Sequence, residues 1–296
     1  MMPSFRSPKA QADHAIRQKL AIGSSRHDNR DDGMVHSLGT ARTYAETLGT
    51  FSSWLKEERL GDLRSVGREE ALRYLAHRSE EVGQQQLDKD RQAIQIHLGQ
   101  QLPRGMSEIE TIKSATRYTK EQLQMVREHQ SPPHAMATEI IQRCGLRSHE
   151  LLTLRQDSEQ PRSTHREWRS DLHAGQDGPV YTVVGKGGLC REVVIPADIA
   201  ARLEAVRLPE PVIIVDRGIW YKSCYAVGGG QAWSASFSAA SRRVLGWSDG
   251  GHQVRGCWAR DRVAALQEMG YSIADAKAVC SQNLGHFRSD VLEYYL

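Results

Sequence analysis

Residues 180–196 read VYTVVGKGGLCREVVIP. Residues 180–184 and 191–195 are short runs rich in β-branched side chains, the composition of strands. Between them Gly185-Lys186-Gly187-Gly188 supplies the positive φ angles of a tight reversal, so the stretch reads as a β-hairpin. On both sides the pattern changes to helix. Downstream, helices are expected at about 197–207, 237–246, 253–268 and 273–283, with Gly270 and Gly285 placed as stops. Upstream, a helical region begins near Thr119 and resumes after Pro132-Pro133. Strand and helix do not alternate, which argues against a doubly wound parallel sheet. The expectation is a mainly α domain with a small antiparallel β-sheet, an α+β arrangement.

Further upstream the chain reads as helix alone. Ala41, Tyr44, Leu48, Phe51 and Leu55 recur at steps of three and four and form one apolar stripe, with Thr40 as a plausible N-cap. A second helix is expected at about 67–82, carrying Leu72, Leu75 and Ala76, and a third around Leu87, Ile94 and Leu98. These make a small N-terminal helical bundle, ended by a linker with Pro103 and Gly105. Residues 1–35 are polar and mixed in charge and read as a flexible arm or a short helix followed by a loop. The division is therefore 1–35, 36–108 and 109–296. No internal repeat is visible.

The chain has 296 residues, enough for two domains with buried cores, and its composition is that of a globular protein. A formal net charge of +3 permits a nucleic-acid partner without requiring one. Five scattered cysteines, Cys144, Cys190, Cys224, Cys257 and Cys280, show no zinc spacing and read as reduced, packed thiols. No signal peptide is recognisable, and no stretch approaches the roughly 18 apolar residues of a membrane span. The expected setting is cytoplasmic, without membrane association.

The residues able to do chemistry are spread along the second half. Arg147 and Glu150 lie in GLRSHELLTL, where Arg147 reads as opening a helix after Gly145. Lys186 sits at the hairpin tip. His252 and Arg255, spaced i, i+3 in GHQVRGCWAR, share one helical face. His286 ends NLGH, and Tyr294 and Tyr295 come just before Leu296. Each has an ordinary reading alone: a solvated helix start, a solubilising turn lysine, a surface pair, a helix cap, terminal aromatic packing. Together they form a set suited to phosphodiester attack. As phosphorus becomes five-coordinate, negative charge grows on its non-bridging oxygens, and fixed cationic donors lower the barrier by on the order of 10²–10³ each. Arginine holds two phosphate oxygens in its fork and stays charged. Glu150 can orient the Arg147 guanidinium from behind.

In this order, GLRxxELxxL, a hairpin GKGG, HxxR, LGH and a terminal tyrosine, the set resembles the catalytic signature of the tyrosine recombinase (phage integrase) family. Stretches such as EQPRSTHREWRSD and GKGGLCREVVIP are similar to integrases of bacterial mobile islands and conjugative elements. The resemblance implies that Arg147, Lys186, His252, Arg255, His286 and Tyr295 are catalytic. In the family the tyrosine usually falls nine residues after the LGH histidine, which favours Tyr295, with Tyr294 as the alternative nucleophile. It also implies a core-binding bundle at 36–108, duplex DNA as partner, a homotetramer on DNA, accessory DNA-bending or directionality factors, and no cofactor or metal. Two departures stand out. Gly256 occupies a position that is histidine in many members, and the chain ends at Leu296, where many members continue into a segment that docks on a neighbouring protomer. That ending keeps a second expectation open, a catalytically inactive or truncated DNA-binding relic or regulator. A type IB topoisomerase is a third.

Overall fold

The structure is a computed structural model, and it describes residues 7–22, 32–109, 118–289 and 292. The chain divides into two compact units, Met1–Ser114 and Ala115–Leu296.

The first unit is built from α1 (Pro8–Arg17), α2 (Leu38–Glu57), α3 (Arg68–Ser79) and α4 (Gln84–Leu98). The apolar stripe of α2 faces inward as its spacing demands, with Leu48, Phe51 and Leu55 all 0 % exposed. Each such side chain contributes roughly 1.5–3 kcal/mol by leaving water. Phe51 packs on Tyr74 of α3 with ring centroids 4.7 Å apart. The helix begins one turn earlier than its sequence suggests. Ser37, not Thr40, is the N-cap, its hydroxyl accepting from the Thr40 N–H at 3.2 Å. Part of the polar segment 1–35 also joins this core. Ala12 and Ile16 of α1 are buried against the bundle, because they lie four apart on one face of a helix capped by Ser7.

The second unit opens with α5 (Lys120–Glu128) and α6 (Pro132–Cys144), followed by a 3-10 turn at Glu150–Thr153. A three-stranded antiparallel sheet then forms from β1 (Arg155–Gln156), β2 (Val180–Val184) and β3 (Cys190–Val194) in the order β1-β2-β3. β2 and β3 are the expected hairpin, in register Val180↔Val194 through Val184↔Cys190. After α7 (Ala197–Ala205) comes a feature the sequence reading left unassigned, a second antiparallel sheet of β4 (Arg207–Asp216) and β5 (Ile219–Tyr225). Pro209 and Pro211 mask β4, since proline cannot donate to a ladder. The structure tolerates them because the register shifts between Arg207 and Val212. The reversal at Arg217-Gly218 is also hidden, for Arg217 adopts φ +51° where asparagine or aspartate is usual.

α8 (Gly230–Leu245), α9 (His252–Glu268) and α10 (Ile273–Asn283) complete the described elements. α8 starts seven residues before the sequence reading placed it, because Gly230–Ala235 is small and polar apart from Trp233, which heads the buried stripe Trp233, Phe237, Ala240. α9 is the central helix. Val254, Ala259 and Val263 are buried along with Arg255 and Arg262, so charged side chains enter the interior here. All five cysteines are buried free thiols. The fold is mainly α with small antiparallel sheets. Among the described residues, no helix is long and apolar enough to cross a membrane.

Candidate active site

α6 ends at Gly145, which takes the left-handed conformation at φ +66°. A Cβ there would lie 2.4 Å from the Trp258 ring of α9, so only glycine lets the chain turn this close to that helix. Two residues later Arg147 emerges. It does not open an α-helix as expected. It lies in a loop leading into the short 3-10 turn, and its backbone N–H donates to Glu150 Oε2 at 2.7 Å.

Glu150 is 0 % exposed and is the centre of the site. Its Oε1 accepts from Arg147 Nη1 at 2.7 Å. Its Oε2 also accepts from Arg191 Nη2 at 2.7 Å and from Arg255 Nη1 at 3.3 Å. Four donors thus meet this carboxylate, three at Oε2 and one at Oε1. Burial alone would raise the Glu150 carboxyl, but the charges of Arg191, Arg255 and Arg147 outweigh it and hold it well below the usual carboxylate range. Three guanidiniums share one carboxylate, so the cluster keeps an excess of positive charge suited to an anion.

The two buried arginines also bind helix ends. Arg255 Nη1 donates to Gly145 O at the end of α6 at 2.7 Å, and its Nη2 donates to Leu284 O just past α10. Arg191 Nη1 donates to Asn283 O, the last residue of α10, at 2.6 Å. These carbonyls have no partner within their helices, and cations near a helix C-terminus also complement its dipole. The same contacts pair both terminal nitrogens of each arginine and bring α6, α9, α10 and β3 to one point.

That convergence sets His286. Its Nε2 lies 3.0 Å from Arg147 Nη2. Arginine only donates, so Nε2 accepts, and the proton of the neutral ring sits on Nδ1. Burial, then the charges of Arg147, Arg255 and Arg191, depress the imidazole to about 4. His252 heads α9 and is exposed. Desolvation, then Arg255 and Arg147, lower it too. Arg147, His252 and Arg255 line a pocket of about 270 Å³ with Ser148, His149 and Arg217.

The structure therefore brings together Arg147, Glu150, His252, Arg255 and His286, residues 139 positions apart at the extremes. Lys186 lies on the turn between β2 and β3, and its side chain falls outside the described atoms. Tyr294 and Tyr295 lie outside the described residues. Sequence reasoning missed Arg191 and Arg217. Arg191 is a charge at a fully buried position of β3, beside the partly exposed Glu192, a signal that was present in the sequence. Arg217 reaches the pocket rim through the β4–β5 hairpin, whose Asp216 accepts from the Gln231 N–H of α8 at 2.8 Å while Arg217 Nε donates to Gln231 Oε1 at 2.9 Å.

No family model and no curated protein sequence matches the chain. Solved structures do. The XerH site-specific recombinase bound to difH substrate, in a pre-cleavage complex, superposes with a TM-score of 0.55 at 16% identity, over 99% of this chain and 94% of that one. The XerH post-cleavage complex on a palindromic difH substrate gives 0.55 at 15% identity over the same shares. A lambda integrase tetramer bound to a Holliday junction gives 0.51 at 16% identity, over 97% of this chain and 76% of that one. The chain has the fold of the tyrosine recombinases.

Proposed function

We propose that this chain is a tyrosine-type site-specific DNA recombinase or integrase, acting on duplex DNA in the cytoplasm. The observation that carries the reading is the buried Glu150 cluster, which collects Arg147, Arg255 and His286 from three separate stretches of chain beside His252. The fold shared with XerH and lambda integrase supports it.

Tyr295 attacks the scissile phosphate. The tyrosine hydroxyl loses its proton to water, its oxygen bonds to phosphorus, the bond to the 5′-oxygen breaks, and Lys186 gives that oxygen a proton. Arg147, Arg255, His252 and His286 stabilise the charge on the five-coordinate phosphorus. A partner strand's 5′-hydroxyl then returns a proton to Lys186, attacks the 3′-phosphotyrosine and frees the tyrosine, which takes up a proton from water. Each step exchanges one phosphate ester for another, so bond energy is retained and ATP is not required. The arginines offset the phosphate charge that a metal cation would otherwise offset. Residues 36–108 act as the core-binding domain and 109–296 as the catalytic domain. Four copies exchange strands on DNA, helped by accessory DNA-bending or directionality factors.

The test is a nicked suicide substrate carrying the genomic sequences that flank the coding region, incubated without metal. Wild type gives a denaturation-resistant protein–DNA adduct, Tyr294→Phe keeps it and Tyr295→Phe loses it. Loss only in Tyr294→Phe moves the nucleophile by one residue. Sequence-specific binding with no adduct from any protein refutes catalysis and leaves a DNA-binding regulator. Relaxation of any supercoiled plasmid regardless of sequence refutes site specificity in favour of a type IB topoisomerase.

A further inference from the structure

Arg191 is 1 % exposed, as buried as any apolar residue of β3. A buried guanidinium is costly unless paired, and its pairing here is specific. One arm of the fork meets Glu150 Oε2 at 2.7 Å and the other meets Asn283 O at 2.6 Å. Neither acceptor is a loose end. Glu150 holds Arg147 and Arg255. Asn283 is itself fixed, its Oδ1 accepting from Arg262 Nε at 3.1 Å and its Nδ2 donating to Leu172 O at 2.8 Å. His286 follows Asn283 by three residues, and its backbone N–H donates to Ser281 O at 2.8 Å within the same turn.

We propose, resting on the recombinase reading for what the pocket does, that Arg191 is a positioning residue for strand cleavage: it bridges Glu150 to the α10 end, so that both catalytic arginines and His286 meet one phosphate. Its own surface is covered, so it acts through its two partners and not on the substrate. Lysine cannot replace it fully. A lysine ammonium is a point charge on a flexible stem, whereas the bridge needs a rigid fork with two donors aimed apart.

The experiment uses the full chain as wild type, Arg191→Lys and Arg191→Gln. Three quantities are read: affinity for the duplex site, the single-turnover rate of adduct formation, and the pH midpoint of the His286 ring by NMR. Both variants should bind DNA within about twofold of wild type. Cleavage should fall by roughly 10- to 100-fold in Arg191→Lys and further in Arg191→Gln, because a misplacement near 1 Å costs about 10²-fold. The His286 midpoint should rise in Arg191→Gln and rise less in Arg191→Lys. A purely structural arginine would lower the melting temperature yet leave the adduct rate of the folded protein and, in the charge-keeping Arg191→Lys, the His286 midpoint at wild-type values, and that result overturns the proposal. Should Arg191→Gln fail to fold, Arg191→Lys decides on the same three readings. If wild type forms no adduct, the recombinase reading falls, and the His286 midpoint of the charge-keeping Arg191→Lys still decides whether Arg191 fixes this turn.

Discussion

Replacing Glu150 by glutamine removes one negative charge and almost no volume, so its effect isolates the electrostatics of the cluster. The best orientation of the amide puts its oxygen where Oε2 was, facing the Arg147 N–H, Arg191 Nη2 and Arg255 Nη1. Its NH2 then points at Arg147 Nη1, which has lost its acceptor. Two guanidiniums that are each 1 % exposed are left without a counter-charge. Removing one partner of a buried ion pair costs about 3–5 kcal/mol. For a unit of this size each kcal/mol moves the melting temperature by about 2–4 °C, so Glu150→Gln should melt roughly 10 °C below wild type. Calorimetry of the full chain measures this, with the exposed Glu268→Gln as a control expected within about 0.5 kcal/mol of wild type. A drop under about 2 °C for Glu150→Gln would refute the claim that this carboxylate holds the three arginines together.

The depressed His286 gives a signed pH dependence. Its folded value near 4 lies below the ordinary 6.5, so the unfolded chain binds more protons between them. Stability from this group is complete above pH 6.5, falls as the pH drops towards 4, and is then exhausted. The ceiling is about 3 kcal/mol, and solvent screening of a half-buried ring brings it to about 1–2 kcal/mol. Urea midpoints of wild type and His286→Asn should therefore converge as pH falls from 7 to 4.5, and a constant gap would show that His286 does not titrate in this way. Gly145→Ala should destabilise by about 2–5 kcal/mol, from the left-handed backbone and from overpacking against Trp258, 2.4 Å from the new Cβ. A melting temperature like that of wild type would mean that α6 and α9 separate easily.

The parts of the fold legible in the sequence were those whose signal is local. The α2 stripe, the β2–β3 hairpin and the pairing of His252 with Arg255 on one helix turn all follow from periodicity or turn chemistry within a few residues. What was hidden depends on distant partners. Arg191 sits in a short strand, and its partners Glu150, 41 residues earlier, and Asn283, 92 residues later, explain its burial. The β4–β5 hairpin is obscured by its prolines and by an arginine at its tip, conformations that a register shift and the contact with α8 make tolerable. For the site itself, the order of motifs named Arg147, His252, Arg255 and His286. It could not show that they meet through one carboxylate, nor that His286 is held neutral by an arginine.

The contact between Arg147 and His286 spans 139 residues, so the site has a schedule as well as a shape. Ribosomes add about 5–20 residues per second, so Arg147 and Glu150 wait on the order of ten seconds before the last of their partners exists. Until then the arginine-binding carboxylate is incomplete, and no anion pocket can close around it. Partial chains, released early or clipped before His286, lack the assembled cluster. The cluster is complete only once the end of α10 and His286 have been made.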